Sequence, residues 1–521
     1  MVVLLLVAMV LGVLIGLMFS QSAGMARAPE GLQGKMGEVV QLVEDEYVDA
    51  VDADSVGERL IAVMLRELDP HSTYLSSRET ERADEMMRGS FEGVGLVLHR
   101  EGDTTYVGRV IDDGPSVGLG ILPGDKIVTV DGDSVSGVGM ASDTVVARLR
   151  GPRRSTVRVT VERTGHAGLL TFNIRRGVVP HHTLPYYTML DDTTGYVVLN
   201  SFATTSHDEF CEAVLSLKRR GMRHLVFDLR GNGGGSLTAA IGIAGELLPR
   251  KALIVYTEGA HSRRRNVYSH GGGLFTEGRL TVIVDENSAS ASEVVSGALQ
   301  DNDRATIVGR RTFGKGLVQT EFPLGDGSSV LLTTARYYTP SGRCIQRPYD
   351  DGTDEYYRDY LNQLIEETYT DSATLHIADS TPYYTTGGRV VYGGGGIIPD
   401  RLLQLYRDST LIYYNRLSSR GLLGRVAFAH VRRQAGALLE RYPDAETFAR
   451  RFSAGDDMVE ELVAAGEAAG IKRDPASLKK QRPLIKALLK ANIGMALYGD
   501  RAFYDSYLPY DDDLRQVREQ Q

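Results

Sequence analysis

The chain opens on an apolar block and then changes pattern several times. Met1 to Phe19 carries no charge and is almost wholly apolar, enough helix to cross a bilayer core of about 30 Å. Ala26-Arg27-Ala28 matches a small-x-small cleavage site, but no basic residue precedes the apolar run as in a secretory signal. Residues 1–24 are therefore expected to be a transmembrane anchor or signal segment, with the uncleaved anchor favoured. Residues 30–90 predict a small helical module: Val40, Leu42 and Val43 lead into Tyr47. Leu60, Ile61, Met64 and Leu65 then recur at helical spacing until Asp69-Pro70 stops the run.

From residue 91 to about 178 the pattern turns to short β-rich runs separated by Gly and Asp turns: Val94–Leu98, Tyr106–Ile111, Lys126–Val130, Val157–Val161 and Leu169–Ile174. One helix is expected near Ser142–Leu149. From 179 to about 400 strands alternate with helices, which implies α/β layering. The strands are Tyr196–Leu199, Leu225–Leu229, Leu253–Tyr256, Leu280–Val284 and Val330–Thr334, and the helices lie near Asp208–Arg220, Leu237–Leu248 and Ala291–Leu299. Residues 348–388 are polar and tyrosine-rich without clear period and read as an insertion. Residues 401–521 read as a helical domain, with Ile485, Leu488, Leu489 and Ile493 on one face and Val459, Leu462 and Val463 on another.

Composition narrows the classes. The 521 residues include 58 Lys plus Arg against 67 Asp plus Glu, a formal charge of -9, with no basic block; nucleic acid is not an expected partner. Cys211 and Cys344 stand far apart and form neither a metal motif nor a disulfide framework, although one bridge between them is conceivable. No metal or cofactor is expected. Only ten of the 58 cationic side chains are lysine, so a lysine at a special place stands out.

Gly309-x4-Gly314-Lys315 resembles a phosphate-binding loop, but Gly316 stands where Ser or Thr should hold magnesium and strand-forming Val318 follows. Gly231-Asn232-Gly233-Gly234-Gly235 fails the dinucleotide fingerprint and reads instead as a turn whose N–H groups could bind an anion or a transient oxyanion. Asn287 to Glu293 sits between an apolar strand and a helix. Ser290-x-x-Glu293 satisfies a capping box, yet Ser290 at a helix N-terminus could also be a nucleophile, with Ala291 N–H stabilising negative charge. A serine needs a base. His207, beside Asp208, and the linker residues His181 and His182 have no persuasive spacing to it. Lys315 is the only lysine between residues 252 and 471. Its surroundings from Thr312 to Gln319 are almost charge-free, as a lysine that must lose its proton near neutrality requires. Gln319 could orient the amine.

These residues resemble the C-terminal processing proteases, serine peptidases with a Ser/Lys dyad and an embedded PDZ domain. The resemblance covers about residues 37–400. It rests on Leu68-Asp69-Pro70-His71-Ser72-Thr73-Tyr74-Leu75, Phe91-Glu92-Gly93-Val94-Gly95, Gly124-Asp125, Leu149-Arg150-Gly151-Pro152 and Asp228-Leu229-Arg230-Gly231-Asn232. Further matches are Ser288 to Glu293, Thr312 to Gln319, Tyr337 to Arg343 and Gly395 to Asp400. It implies a multidomain α/β protein: a ClpP/crotonase-like protease core over 179–400, an inserted PDZ β domain over 91–178, and helical N- and C-terminal regions.

The resemblance assigns Ser290 as nucleophile, Lys315 as general base and Gln319 as the residue that positions the lysine. Ala291 and Gly234 are the implied oxyanion donors, and Asp301 has a supporting role. Gly93, Val94, Gly95 and Leu96 match the loop that captures a peptide carboxylate. Arg150 matches a position that couples PDZ orientation to the active site. Departures include Gly233 where proline is frequent, Arg153-Arg154-Ser155 in place of a glycine turn, and Cys344 at a small polar position. The expected protein is a serine endopeptidase of the cell envelope, acting through an acyl-enzyme on polypeptides with exposed apolar C-termini. It is expected to be membrane-held through its N-terminal segment, with an activating adaptor and homo-oligomerisation both possible. The alternatives are a catalytically inactive PDZ adaptor and, more remotely, acyl-CoA chemistry on a related fold.

Overall fold

Two apolar runs without alternation, Thr194–Val198 and His224–Asp228, are buried along their whole length, as central parallel strands covered on both faces should be. In the computed structural model, which describes residues 31–369, 377, 379–403 and 410–519, they lie within a six-stranded sheet. Its order is Tyr186–Met189, Thr194–Val198, His224–Asp228, Arg279–Val284, Thr306–Gly309, Arg401–Leu402. The first pair is antiparallel, with Tyr186 opposite Val198. The following pairs are all parallel, with Tyr196 opposite Val226 and Val226 opposite Thr281.

The pleat sorts the side chains. Val197, Leu225, Phe227, Val282 and Val284 join the helices Ser206–Arg219, Leu237–Leu247 and Ala291–Asp301 in the largest apolar cluster. Tyr196, Val198, Val226, Ile283 and Val308 face the other way and are covered by Leu514 and Val517 of the helix Asp512–Glu519. Arg230 fastens that helix: its guanidinium donates to Asp228 at 2.6 Å, Asp511 at 2.7 Å and Asp513 at 3.1 Å.

A second sheet combines Ser329–Tyr338 with Leu253–Gly259, Ser262–Tyr268, Leu317–Pro323 and the short strand Thr73–Leu75. Thr73–Leu75 adds a strand to the helical module expected over residues 30–90. After Pro70 the chain turns extended and pairs antiparallel with the core strand, Thr73 opposite Leu331. Helices Leu32–Glu46, Ala53–Arg66 and Ser77–Arg88 supply the rest. The outer strand Ser262–Tyr268 was hidden in the sequence because its three arginines are exposed, a charged edge that resists pairing with another chain.

The inserted β domain has the strands Leu96–Glu101, Thr104–Val110, Lys126–Val130, Asp133–Ser134, Thr156–Glu162 and Leu169–Arg175 in one sheet. The helix Ser142–Leu149 buries Val145 and Leu149 against it. Ser90–Gly93 and Gly177–Pro180 pair antiparallel where the chain leaves and re-enters the core, forming a two-stranded neck.

Within 348–388 the described residues hold regular structure that the composition did not suggest. Helix Thr353–Tyr369 occupies its first half, and Asp379–Tyr384 pairs with Val390–Gly393. Tyrosines replace the aliphatic stripe: Tyr356 is buried, and its ring and that of Tyr360 pack on Phe313. The C-terminal helices Leu411–Ser419, Leu422–Arg441, Asp456–Ala468 and Pro475–Tyr498 enclose their own core, which includes Val459, Leu462, Ile485, Leu489 and Ile493. They also touch the β domain. Arg432 donates to Glu101 at 2.7 Å, and Phe428 packs on His99 with ring centroids 3.9 Å apart. Both cysteines are free thiols, so no bridge joins them. The apolar segment 1–24 lies outside the described residues; among those described, no helix is long and apolar enough to cross a membrane.

Arg230→Ala would strand the carboxylates of Asp228, Asp511 and Asp513 without their counter-ion, a loss expected to cost about 3–5 kcal/mol. A lowered urea midpoint for unfolding, relative to the parent chain, checks it.

Candidate active site

Ser290 stands between the strand Arg279–Val284 and the helix Ala291–Asp301, whose residues are all buried. Its backbone is at φ 54 and ψ -110, a region that L-residues rarely occupy and that costs on the order of 1–3 kcal/mol unless surrounding bonds hold it. The holding group is Glu293. Its carboxylate, fully buried, accepts Ser290 N–H at 2.8 Å and Lys315 N–H at 2.9 Å on one oxygen. The other oxygen accepts Thr312 Oγ1 at 2.6 Å and Gly314 N–H at 2.7 Å. Sharing one acceptor keeps the amide nitrogens of residues 290 and 315 within about 6 Å of each other. Burial pushes the Glu293 carboxyl up to about 7 against these four hydrogen bonds.

The glycine turn lies against the same place. Gly234 has φ 98, and a Cβ there would stand 2.9 Å from Ser290 Cβ and 3.0 Å from Ala291 N. This juxtaposes Gly234 with Ala291, but the Gly234 N–H donates to Asn232 Oδ1 at 2.9 Å. In this arrangement an Asx-type turn engages the N–H that was expected to help receive an oxyanion.

Lys315 Nζ donates to Gln319 Oε1 at 2.6 Å, the pairing read from their spacing. Burial lowers the amine's pKa, while Asp69 and Glu293 pull it back up. Among the described residues Ser290 Oγ and Lys315 Nζ share no hydrogen bond. The expected proton transfer needs one, so the amine is turned to Gln319 in this arrangement.

A contribution that sequence reasoning missed comes from the segment after Asp69-Pro70. Gln319 Nε2 donates to the carbonyl of His71. Asp69 is the pivot of that turn, accepting His71 N–H at 2.8 Å, Ser72 N–H at 2.8 Å and Ser72 Oγ at 2.6 Å. Burial, and after it the Lys315 charge, pushes the His71 imidazole down to about 4, so it is neutral at ordinary pH. The Asp-Pro-His-Ser string was visible as a motif, but nothing in it announced contact with a residue 248 positions away.

Other expected site residues lie elsewhere. Asp301, at the far end of the serine helix, is fully buried and accepts Arg343 at 2.7 Å and Ser341 N–H at 3.1 Å; it braces the helix. Arg150 grips both Glu85 oxygens at 2.7 Å and lies over the Phe91 ring, so it joins the β domain to the helix Ser77–Arg88 and the neck. In the loop Gly93-Val94-Gly95-Leu96, the Val94 carbonyl accepts Ser116 Oγ at 2.6 Å and the Gly95 carbonyl accepts Ile111 N–H at 2.9 Å. Trans peptide geometry then turns the N–H groups of Gly95 and Leu96 away from Ser116 and Ile111. Among the described residues, the Ser290 site gathers no cluster of His, Cys, Asp and Glu spaced to hold a metal.

Comparison with known proteins agrees with this architecture. Residues 193–353 match peptidase family S41, residues 84–162 match the PDZ domain, and residues 413–499 match a family of unknown function, DUF8443. The carboxy-terminal-processing protease of Bartonella bacilliformis is 35% identical over 320 residues, which span 60% of this chain and 72% of that protein. The carboxy-terminal processing protease CtpA of Bacillus subtilis is 30% identical over 314 residues, 60% of this chain and 66% of that one. A solved photosystem II D1 C-terminal processing protease is 30% identical, with a TM-score of 0.34 over 59% of this chain and 83% of that one. An α/β core of family S41 with an inserted PDZ domain defines a serine-type peptidase. Within that class the chain belongs to the carboxy-terminal processing proteases.

The Glu293 carboxyl supplies a pH test. The unfolded chain releases this proton near the ordinary value of 4.5, whereas the folded protein keeps it to about 7. Its contribution is therefore fully present below pH 4.5 and is lost as pH rises through 7, at up to about 1.4 kcal/mol per unit. Glu293→Gln removes the titration and should flatten the decline. Urea midpoints from pH 4.5 to 8 read the effect.

Proposed function

We propose that this protein is an endopeptidase in which Ser290 attacks a peptide carbonyl with Lys315 as its base. The observation that carries the reading is the Glu293 carboxylate shared by the backbone amides of Ser290 and Lys315. It brings a serine at a strained helix N-terminus beside a lysine whose burial favours the neutral amine. In the reacting form Lys315 Nζ leaves Gln319 Oε1 and accepts the Ser290 Oγ proton as Oγ bonds to the carbonyl carbon. The carbonyl oxygen becomes an anion, which Ala291 N–H at the helix terminus stabilises. Gln319 holds the amine between turnovers. As the tetrahedral intermediate collapses, the C–N bond breaks and Lys315 returns the proton to the leaving amine. Water then hydrolyses the acyl-enzyme, with Lys315 again as base.

Substrate enters through the PDZ domain. The N–H groups of Gly95 and Leu96 receive the terminal carboxylate of a partly unfolded protein, and the edge strand Leu96–Glu101 pairs with the tail. A contiguous route leads from there to the glycine turn. Arg150 grips Glu85, the carbonyl of Met87 accepts Thr204 N–H at 2.9 Å, and Gly234 O accepts Phe202 N–H at 2.9 Å. We assign Arg150 the role of transmitting PDZ position along this route, so that a bound tail favours the turn of Lys315 toward Ser290. The body works outside the cytoplasm, held by the apolar segment at residues 1–19.

Ser290→Ala and Lys315→Arg should each abolish cleavage of an unstructured protein with an apolar C-terminus, followed by gel and mass spectrometry. Undiminished turnover by either variant rejects the dyad. Failure of a serine-directed covalent probe to label Ser290 while C-terminal peptides still bind would instead leave an inactive PDZ adaptor. Arg150→Ala should cut cleavage at least tenfold while changing the affinity of the PDZ domain for a C-terminal peptide less than twofold.

A further inference from the structure

The helices Ser206–Arg219 and Leu237–Leu247 pack against each other on one face of the core sheet, and their contact holds three metal-ligating side chains that the peptidase chemistry does not use. His207 and Cys211 stand one turn apart on the first helix, and Glu246 projects from the second. His207 Nε2 lies 3.1 Å from Glu246 Oε1 and 3.6 Å from Cys211 Sγ, and all three ligand atoms fall within 4.8 Å of one another. A tetrahedral zinc ion, with bonds of about 2.0–2.2 Å to nitrogen and oxygen and about 2.3 Å to sulfur, sets these edges at about 3.4 Å and about 3.6 Å. The two edges at His207 already have nearly that spacing, and the third lies within 4.8 Å.

The groups around the ligands are arranged as outer-shell partners of a metal site usually are. Glu246 Oε2 is held by Leu274 N–H at 2.8 Å, which leaves Oε1 turned to the ring. A carboxylate can only accept, so His207 Nε2 donates its proton to Glu246 Oε1, and a cation entering the trio takes the place of that proton. Gly242, one turn before Glu246, makes room for the imidazole: a Cβ there would stand 2.8 Å from His207 Cδ2. The His207 side chain is 34% exposed, which gives an ion an entry path.

We propose that His207, Cys211 and Glu246 bind a zinc-class divalent cation, with a fourth position open to water. A mixed sulfur, nitrogen and oxygen donor set selects Zn2+ over Mg2+ or Ca2+. Glu246 lies about 15 Å along its helix from Ser236, where that helix leaves the glycine turn. The ion therefore pins two helices of the core together and takes no part at Ser290, so the proposal stands or falls separately from the dyad.

The test uses the full chain, stripped with chelator and desalted, then titrated with Zn2+ or Co2+. One equivalent should bind with a Kd at or below about 1 µM, and the Co2+ form should show thiolate-to-cobalt charge-transfer absorption that Cys211→Ser removes. His207→Ala and Glu246→Gln should each weaken binding tenfold or more. A second readout needs no variant: Zn2+ should slow labelling of Cys211 by a thiol reagent at least tenfold and leave Cys344 unchanged. Uptake undiminished in the Cys211→Ser/His207→Ala double variant, or Cys211 labelling indifferent to Zn2+, overturns the site and leaves a hydrogen-bonded trio.

Discussion

One buried carboxylate organises the centre of this protein. An ionised Glu in an apolar interior is costly unless donors converge on it, and here four do: Ser290 N–H, Lys315 N–H, Gly314 N–H and Thr312 Oγ1. The convergence extends outward. Thr312 Oγ1 also accepts Ile397 N–H at 2.6 Å, and Asp400 just beyond accepts Ile307 N–H at 2.8 Å and Gln300 Nε2 at 2.9 Å. The Gly395 to Asp400 string thus locks the serine helix, the lysine loop and the strand Thr306–Gly309 into one block. Removal of the lysine loop leaves Glu293 with unmet lone pairs or a stranded charge.

How much could be read in advance follows from the range of each signal. The layers were legible because strand and helix periods are local: the apolar runs at Leu225–Leu229 and Leu280–Val284 and the helices around Phe210 and Val295 announce themselves within a few residues. Ser290, Lys315 and Gln319 were legible for chemical reasons, one lysine in an arginine-rich chain beside charge-free neighbours. Glu293 was visible only as half of a capping box. The box is real on the Ser290 N–H side, but its other three bonds cross to residues 312–315, and no local pattern encodes that. Gly234 shows the converse: the family resemblance implied its pairing with Ala291, while the orientation of its N–H depended on the Asn232 side chain.

The turn at residues 69–72 belongs to the layer around the candidate site. Asp69 also accepts Thr333 Oγ1 at 3.1 Å, and Ser72 Oγ accepts Thr333 N–H at 3.0 Å, so the turn is stitched to the sheet that carries Gln319. Helical patterning obscured this because Thr73–Leu75 is only three residues long, too short for any period to register. The tyrosine-rich helix Thr353–Tyr369 packs on the same neighbourhood: Tyr356 OH meets His71 Nε2 at 3.3 Å, and Arg347 lies over the Tyr360 ring. Aromatic edges and a guanidinium build a wall there that an aliphatic count overlooks.

The contact between Arg432, Phe428 and the β domain changes the mechanics of the whole chain. A domain on a two-stranded neck alone would swing like a door. Here the door has a strut: its sheet rests on the helix Leu422–Arg441, and the same C-terminal region is bolted to the underside of the core through Arg230. Core, β domain and C-terminal helices close a triangle, so no side can change angle unless another joint yields. Arg230 immediately precedes Gly231 of the glycine turn, so one joint of that triangle adjoins the candidate active site.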